Sequence, residues 1–183
     1  MKKHLKLLGA FALFSILVIS CSKDDSGPGS VSGTWTFGDY TYTRATSTQG
    51  NEETSGIYAI VMVATGGDGG NFGDFSGSAM SFIFPSALGA GEYKLATNEE
   101  MQASYKTKKL MDIQCQIGLA GSNGSTLYES SLATGGTANV TIDKDGKYHI
   151  TIKKPATLKK WVELEGGVSG AKDSYELKVN DLY

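Results

Sequence analysis

An all-β domain is what this chain of 183 residues predicts, on three observations. Apolar and polar residues alternate at period two through much of its length, most cleanly where Met111, Ile113, Cys115, Ile117 and Leu119 interleave with Asp112, Gln114 and Gln116. Its 24 glycines gather mainly between such runs, where turns need them. A single segment, Thr97-Asn98-Glu99-Glu100, carries the chemistry of a helix start. The architecture expected is an antiparallel β-sandwich of about nine to eleven strands, with a closed barrel as the alternative.

The first residues stand outside that pattern. Lys2, Lys3 and Lys6 precede an apolar run ending at Ser20, the layout of a cleaved signal. The run over residues 5–20 is shorter than the ~20 residues a spanning helix needs. Removing residues 1–20 leaves 14 basic against 19 acidic side chains, a net charge of −5, with no basic stripe for nucleic acid. The stretch 21–32, rich in Ser, Gly and Asp, reads as a flexible tether, and residues 33–183 as one β domain.

Val18-Ile19-Ser20-Cys21 resembles the lipobox of bacterial lipoproteins, and Ser22-Lys23-Asp24-Asp25 is similar to the acidic export signal of Bacteroidetes surface lipoproteins. The resemblance implies lipidation at Cys21, a membrane partner reached through that anchor, and an address on the outer membrane facing the cell exterior. An acylated Cys21 leaves Cys115 without a disulfide partner, so Cys115 serves as a small hydrophobe in its strand.

Taken in order, Thr34-Trp35-Thr36-Phe37 and Tyr40-Thr41-Tyr42-Thr43 change parity across Gly38-Asp39. A two-residue turn there sets Phe37 opposite Tyr40 and Trp35 opposite Tyr42, four aromatics on one face. That face is read either as core or as a stacking platform for a sugar. Residues 44–56 are polar and read as a loop; residues 57–64 are apolar at both parities, a strand buried on both faces. The stretch 66–74, with Gly66, Gly67, Asp68, Gly69 and Asp74, reads as a surface loop, and its single Gly-Gly-x-Gly-x-Asp-like turn, with Asn71 in the last position, is similar to calcium-binding repeats that work in several stacked copies.

Met80, Phe82 and Phe84 form a strand stopped by Pro85. Tyr93 and Leu95 point inward on the next, the capping box opens a helix through about Ser104, and the Met111 strand follows with its polar face toward solvent. A turn over 121–124 leads to a short strand around Leu127 and Tyr128. Ala138, Val140 and Ile142 alternate inward, as do Tyr148, Ile150 and Ile152, and the two runs form a hairpin across Asp143-Lys144-Asp145-Gly146-Lys147. The Asp143 and Asp145 spacing resembles the start of a calcium loop without its distal glutamate, and Asp and Gly are also what a tight turn requires. Residues 158–164 carry Trp161, and Tyr175, Leu177 and Val179 make the final strand. The order of Gly-x-Trp, Gly-x-Tyr and the late hairpin resembles small uncharacterised Bacteroidetes lipoproteins, and Gly33-Thr34-Trp35 is similar to the lipocalin signature, which makes the barrel alternative lipocalin-like.

Chemistry for catalysis is sparse. The domain has one histidine, His149, whose parity turns it to solvent, and neither a His-Glu-x-x-His nor a Cys-x-x-Cys motif. Ser169-Gly170-Ala171-Lys172 matches Ser-x-x-Lys but sits in a glycine turn. The expectation is therefore no enzyme, no cofactor and no metal site, and a surface-displayed ligand-binding module, with Trp35, Tyr40, Tyr42 and Trp161 as candidate glycan-stacking residues. Two alternatives stand beside it. One is a structural or accessory lipoprotein that binds other proteins and keeps those aromatics buried; the other is a lipocalin-like carrier of a small apolar ligand.

Overall fold

The computed structural model describes residues 33–51, 58–65, 72–118 and 124–183, and these form eleven strands and one short α-helix. The strands are β1 (Thr34–Phe37), β2 (Tyr40–Thr43), β3 (Thr46–Asn51), β4 (Tyr58–Ala64), β5 (Ser78–Pro85), β6 (Gly91–Ala96), β7 (Leu110–Ile117), β8 (Ser125–Glu129), β9 (Thr137–Ile142), β10 (Tyr148–Leu164) and β11 (Ser174–Leu182). Helix α1 (Asn98–Gln102) lies between β6 and β7, and 3-10 turns occupy Gly73–Phe75 and Ser86–Leu88. The signal 1–20, Cys21, the tether 21–32 and the loop residues 66–71 and 119–123 lie outside the described residues.

The domain is all-β, and all the strands hydrogen-bond into one sheet in the order β2-β1-β11-β10-β9-β6-β7-β5-β4-β3, with β8 bridging β10 and β7. The bridge closes a ring of five, β10-β9-β6-β7-β8. From β10 and β7 two wings extend and face each other across one core, so the packing is that of a sandwich and the hydrogen bonding closes locally as a barrel. Trp35 of β1 reaches Ser78 of β5 across that core, its Nε1 donating to Oγ at 3.2 Å. The interior is filled by large side chains, among them Trp35, Phe82, Tyr93, Met111 and Tyr128.

Side chains complete the backbone pairing where strands diverge. β7 pairs with β6 as far as Asp112 and with β8 from Gln114, which strands Ile113 between them. Ser130 takes both of its backbone groups: Ile113 N donates to Ser130 Oγ at 2.9 Å, and Ser130 N donates to Ile113 O at 3.0 Å. The same hydroxyl donates to Ala96 O of β6. Gln49 does the equivalent at the sheet's free end, its Nε2 donating to Tyr148 O and its Oε1 accepting from Tyr148 N, so that β3 is stitched to the start of β10.

Several expectations are corrected. Residues 46–51 form an edge strand, paired among the described residues to β4 on one side; an edge exposed to water needs no apolar alternation, so its polar sequence hid it. The β6–β7 pair is parallel, the other pairs antiparallel. The residues around Ile150 and those around Trp161 belong to one 17-residue strand that carries Pro155 through a register shift in its pairing with β11. Ile142, expected inward, is 45% exposed at the tip of its hairpin. The polar face of β7 does not meet solvent at Asp112, which is fully buried.

Candidate functional site

The hairpin forms in the register its parity change predicts. Phe37 faces Tyr40 and Trp35 faces Tyr42, and Gly38 turns the chain with φ +61°, a left-handed angle that favours glycine. A Cβ there would also meet the Tyr175 ring at 2.5 Å. The aromatic face points into the core. Trp35 is 1% exposed and Tyr42 0%, with their rings stacked at 5.5 Å. Tyr42 donates its hydroxyl to Phe75 O at 2.9 Å, and burial first of all holds its ionisation far above the ordinary value.

That overturns two of the four candidate stacking residues. Trp35 and Tyr42 present no face to a ligand, because the opposite wing and the 3-10 turn at Gly73–Phe75 cover them. Tyr40 is half-buried and already stacked on Phe75 at 4.5 Å, with Phe72 against it at 5.2 Å. Trp161 is the remaining one, part-exposed on β10. It sits where the register against β8 shifts between Lys160 and Val162, and such a bulge re-aims a side chain. Among the described residues, no ring–ring contact joins Trp161 to the hairpin's aromatics, so the four do not form one platform.

Two polar arrangements appear that sequence reasoning missed. In the first, His149 is not turned to open solvent. Its Nδ1 lies 2.8 Å from Asp181 Oδ1, its Nε2 3.4 Å from Asp143 Oδ2, and its ring stacks on Tyr183, over whose ring Arg44 also lies, 3.8 Å from the centroid. Both ring nitrogens face carboxylates, which leaves neither to activate a hydroxyl nucleophile. Asp143 is also committed by its turn: Oδ1 accepts from Asp145 N and Lys147 N at 2.9 Å, and the Lys147 bond leads the causes that hold this carboxyl below its usual range. The Asp-x-Asp-Gly pattern thus serves a turn through Asp143. Asp181 lies 32 residues from His149 in the chain, and only the β10–β11 pairing brings them together.

The second arrangement lies beneath α1. Asp112, on the outer face of β7, is 0% exposed. Its Oδ2 accepts from Gln114 Nε2 at 2.9 Å and Asn98 Nδ2 at 3.4 Å, while its Oδ1 has no hydrogen-bond partner. Glu129 of β8 stands opposite Gln114 and accepts from Asn98 N at 3.5 Å. Burial first, and the Glu129 charge second, push the Asp112 carboxyl up to about 8. The nearest sequence signal is the capping box itself, which places Asn98 at the first position of the helix.

Among the described residues, no group of three or more His, Cys, Asp and Glu is arranged to hold a metal ion. Cys115 is fully buried, and burial pushes its thiol up to about 12. No protein-family model, curated protein or solved structure matches this chain.

Proposed function

We propose that this chain is a lipid-anchored, non-catalytic lipoprotein of the outer membrane, facing the cell exterior, whose β domain acts through contacts of its outer surface with another protein. The observation that carries the choice is the burial of Trp35 and Tyr42, which spends the hairpin's aromatic face on the core. The lipobox-like Val18-Ile19-Ser20-Cys21 and the acidic residues after it support the address. The engagement of both His149 nitrogens and the buried, strongly protonated Cys115 thiol support a domain without a ready nucleophile. Glycan binding would rest on Trp161 and the outer part of Tyr40.

Two measurements test the reading. Cys21→Ala should move the protein from the membrane fraction to the soluble one, and protease added to intact cells should digest the anchored wild type; retention in the membrane or complete protection overturns the address. Acrylamide quenching of the two tryptophans during titration with soluble glycans tests the mode of action. Trp161 should be quenched and stay indifferent to sugar. Saturable, sugar-dependent protection of Trp161, lost in Trp161→Ala, overturns the protein-contact reading in favour of a glycan module.

A further inference from the structure

Helix α1 is held to the outer face of the sheet by a small apolar cluster separate from the main core. Met101 packs there with Tyr58, Ala96 and Leu110, flanked by the part-buried Ile83 and Tyr105. The helix has five residues, too few to persist without tertiary support. Its attachment therefore depends on that cluster and on what lies beneath its first turn, the Asp112–Glu129 pair.

Asn98 ties the two carboxyl groups together, giving its side-chain amide to Asp112 and its backbone N–H to Glu129. Among the described residues, the groups around Asp112 supply no positive charge. From β6 and β5 its register partners are Ala96 and Ile83; from β7 comes the Gln114 amide; from β8 comes Glu129. From α1 come Asn98, the exposed Glu99 and Glu100, whose Oε2 is occupied by Thr97 N and Leu132 N. Lys94, two residues before Ala96, is exposed, and Lys109 donates to Ala90 O. Among the described residues no ion pair reaches either Asp112 or Glu129. A second negative charge beneath the helix thus has nothing to offset it, and its cheapest relief is opening to water.

We propose that Asp112 and Glu129 form a proton-operated latch: with Asp112 protonated, α1 stays docked over Tyr58, Ala96, Met101 and Leu110, and loss of that proton favours its release from the sheet. The sign follows from the direction of the shift. The Asp112 carboxyl is raised from an ordinary 3.8 to about 8 when the helix is docked. The docked state therefore binds the proton more tightly than the open one, and docking is favoured most at low pH and progressively lost up to about pH 8. The latch concerns the fold alone and does not depend on the address or interaction role proposed above.

The test is hydrogen–deuterium exchange of the full chain between about pH 5 and 9, read as protection factors so that base-catalysed intrinsic exchange is divided out. The amides of Met101 and Ala103, bonded to Thr97 O and Glu99 O, report on the helix, and Leu177 in the main core reports on global unfolding. One-proton linkage makes the opening equilibrium of the helix rise about tenfold per pH unit and level off near pH 8, at lower protection than Leu177. Asp112→Asn keeps an oxygen to accept the two amide donors and should flatten the profile. Glu129→Gln removes the neighbouring charge and should bring the plateau to lower pH. A flat wild-type profile overturns the latch. So does an unchanged slope in Asp112→Asn, or helix amides that exchange only when Leu177 does. If Asp112→Asn fails to fold, an unmoved plateau in Glu129→Gln overturns it.

Discussion

Trp35 and Trp161 are the same residue type put to opposite uses. Trp35 lies in the core with its N–H satisfied by Ser78, whose hydroxyl donates onward to Gln116 O at 2.9 Å. Truncating it removes a packed ring and leaves a cavity, so Trp35→Ala should cost about 3–5 kcal/mol. Trp161 is part-exposed, and Trp161→Ala should change stability by less than about 1 kcal/mol. Urea midpoints at constant slope measure both, and equal effects would contradict the burial described. Cys115 makes a second residue-scale case. With Cys21 replaced by alanine, the remaining thiol should resist a maleimide at pH 8 in the folded protein and react once urea unfolds it, because burial keeps it as the unreactive thiol. Sequence parity had already placed both Trp35 and Cys115 on apolar faces. It offered no way to tell a covered face from an open one, since that depends on a wing of the sheet distant in the chain.

At the scale of elements, α1 was legible because its signal is local. Thr97 Oγ1 accepts from Glu100 N and Glu100 Oε2 accepts from Thr97 N, the two bonds a capping box supplies. Thr97→Ala should loosen the helix by about 1 kcal/mol. The bond to Thr97 N leads the causes that hold the Glu100 carboxyl below its ordinary 4.5. Its support for α1 is thus present above that value and fades as pH falls through the lowered one, opposite in sign to Asp112. Melting of the helix signal across that acid range, in wild type against Glu100→Gln, measures it; a variant that follows wild type through the range would contradict it. Strand β3 was illegible for the complementary reason: a polar edge strand carries no periodicity, and only the β4 ladder and the Gln49 stitch identify it. Strand β10 was read as two pieces because Pro155 interrupts the alternation, and the shifted register against β11 absorbs that interruption.

Across the whole molecule, one residue with no distinctive sequence signature fills the gap in the five-strand ring. Ser130 satisfies the backbone of Ile113 where β6 and β8 part, so Ser130→Ala should cost about 1–3 kcal/mol by leaving the Ile113 N–H buried and unpaired. Thermal unfolding at matched pH reads this directly, and an unchanged midpoint would mean the ring closes without it. The segment around Gly124 is comparably constrained: its φ is +85°, and a Cβ there would lie 2.8 Å from three carbonyl oxygens, of Leu164, Glu165 and Gly167. By itself the sequence determined the all-β class, the hairpin register at Gly38, the inward parity of most strands and the one helix cap, because each follows from spacing of a few residues along the chain. Only the tertiary structure decided that the hairpin's aromatics are core, that His149 lies between Asp143 and Asp181, and that Asp112 is sealed beneath α1 beside Glu129. Those depend on which strands become neighbours after the sheet bends and closes. Parity tells which residues share a face of a strand, and burial is settled by what comes to lie against that face.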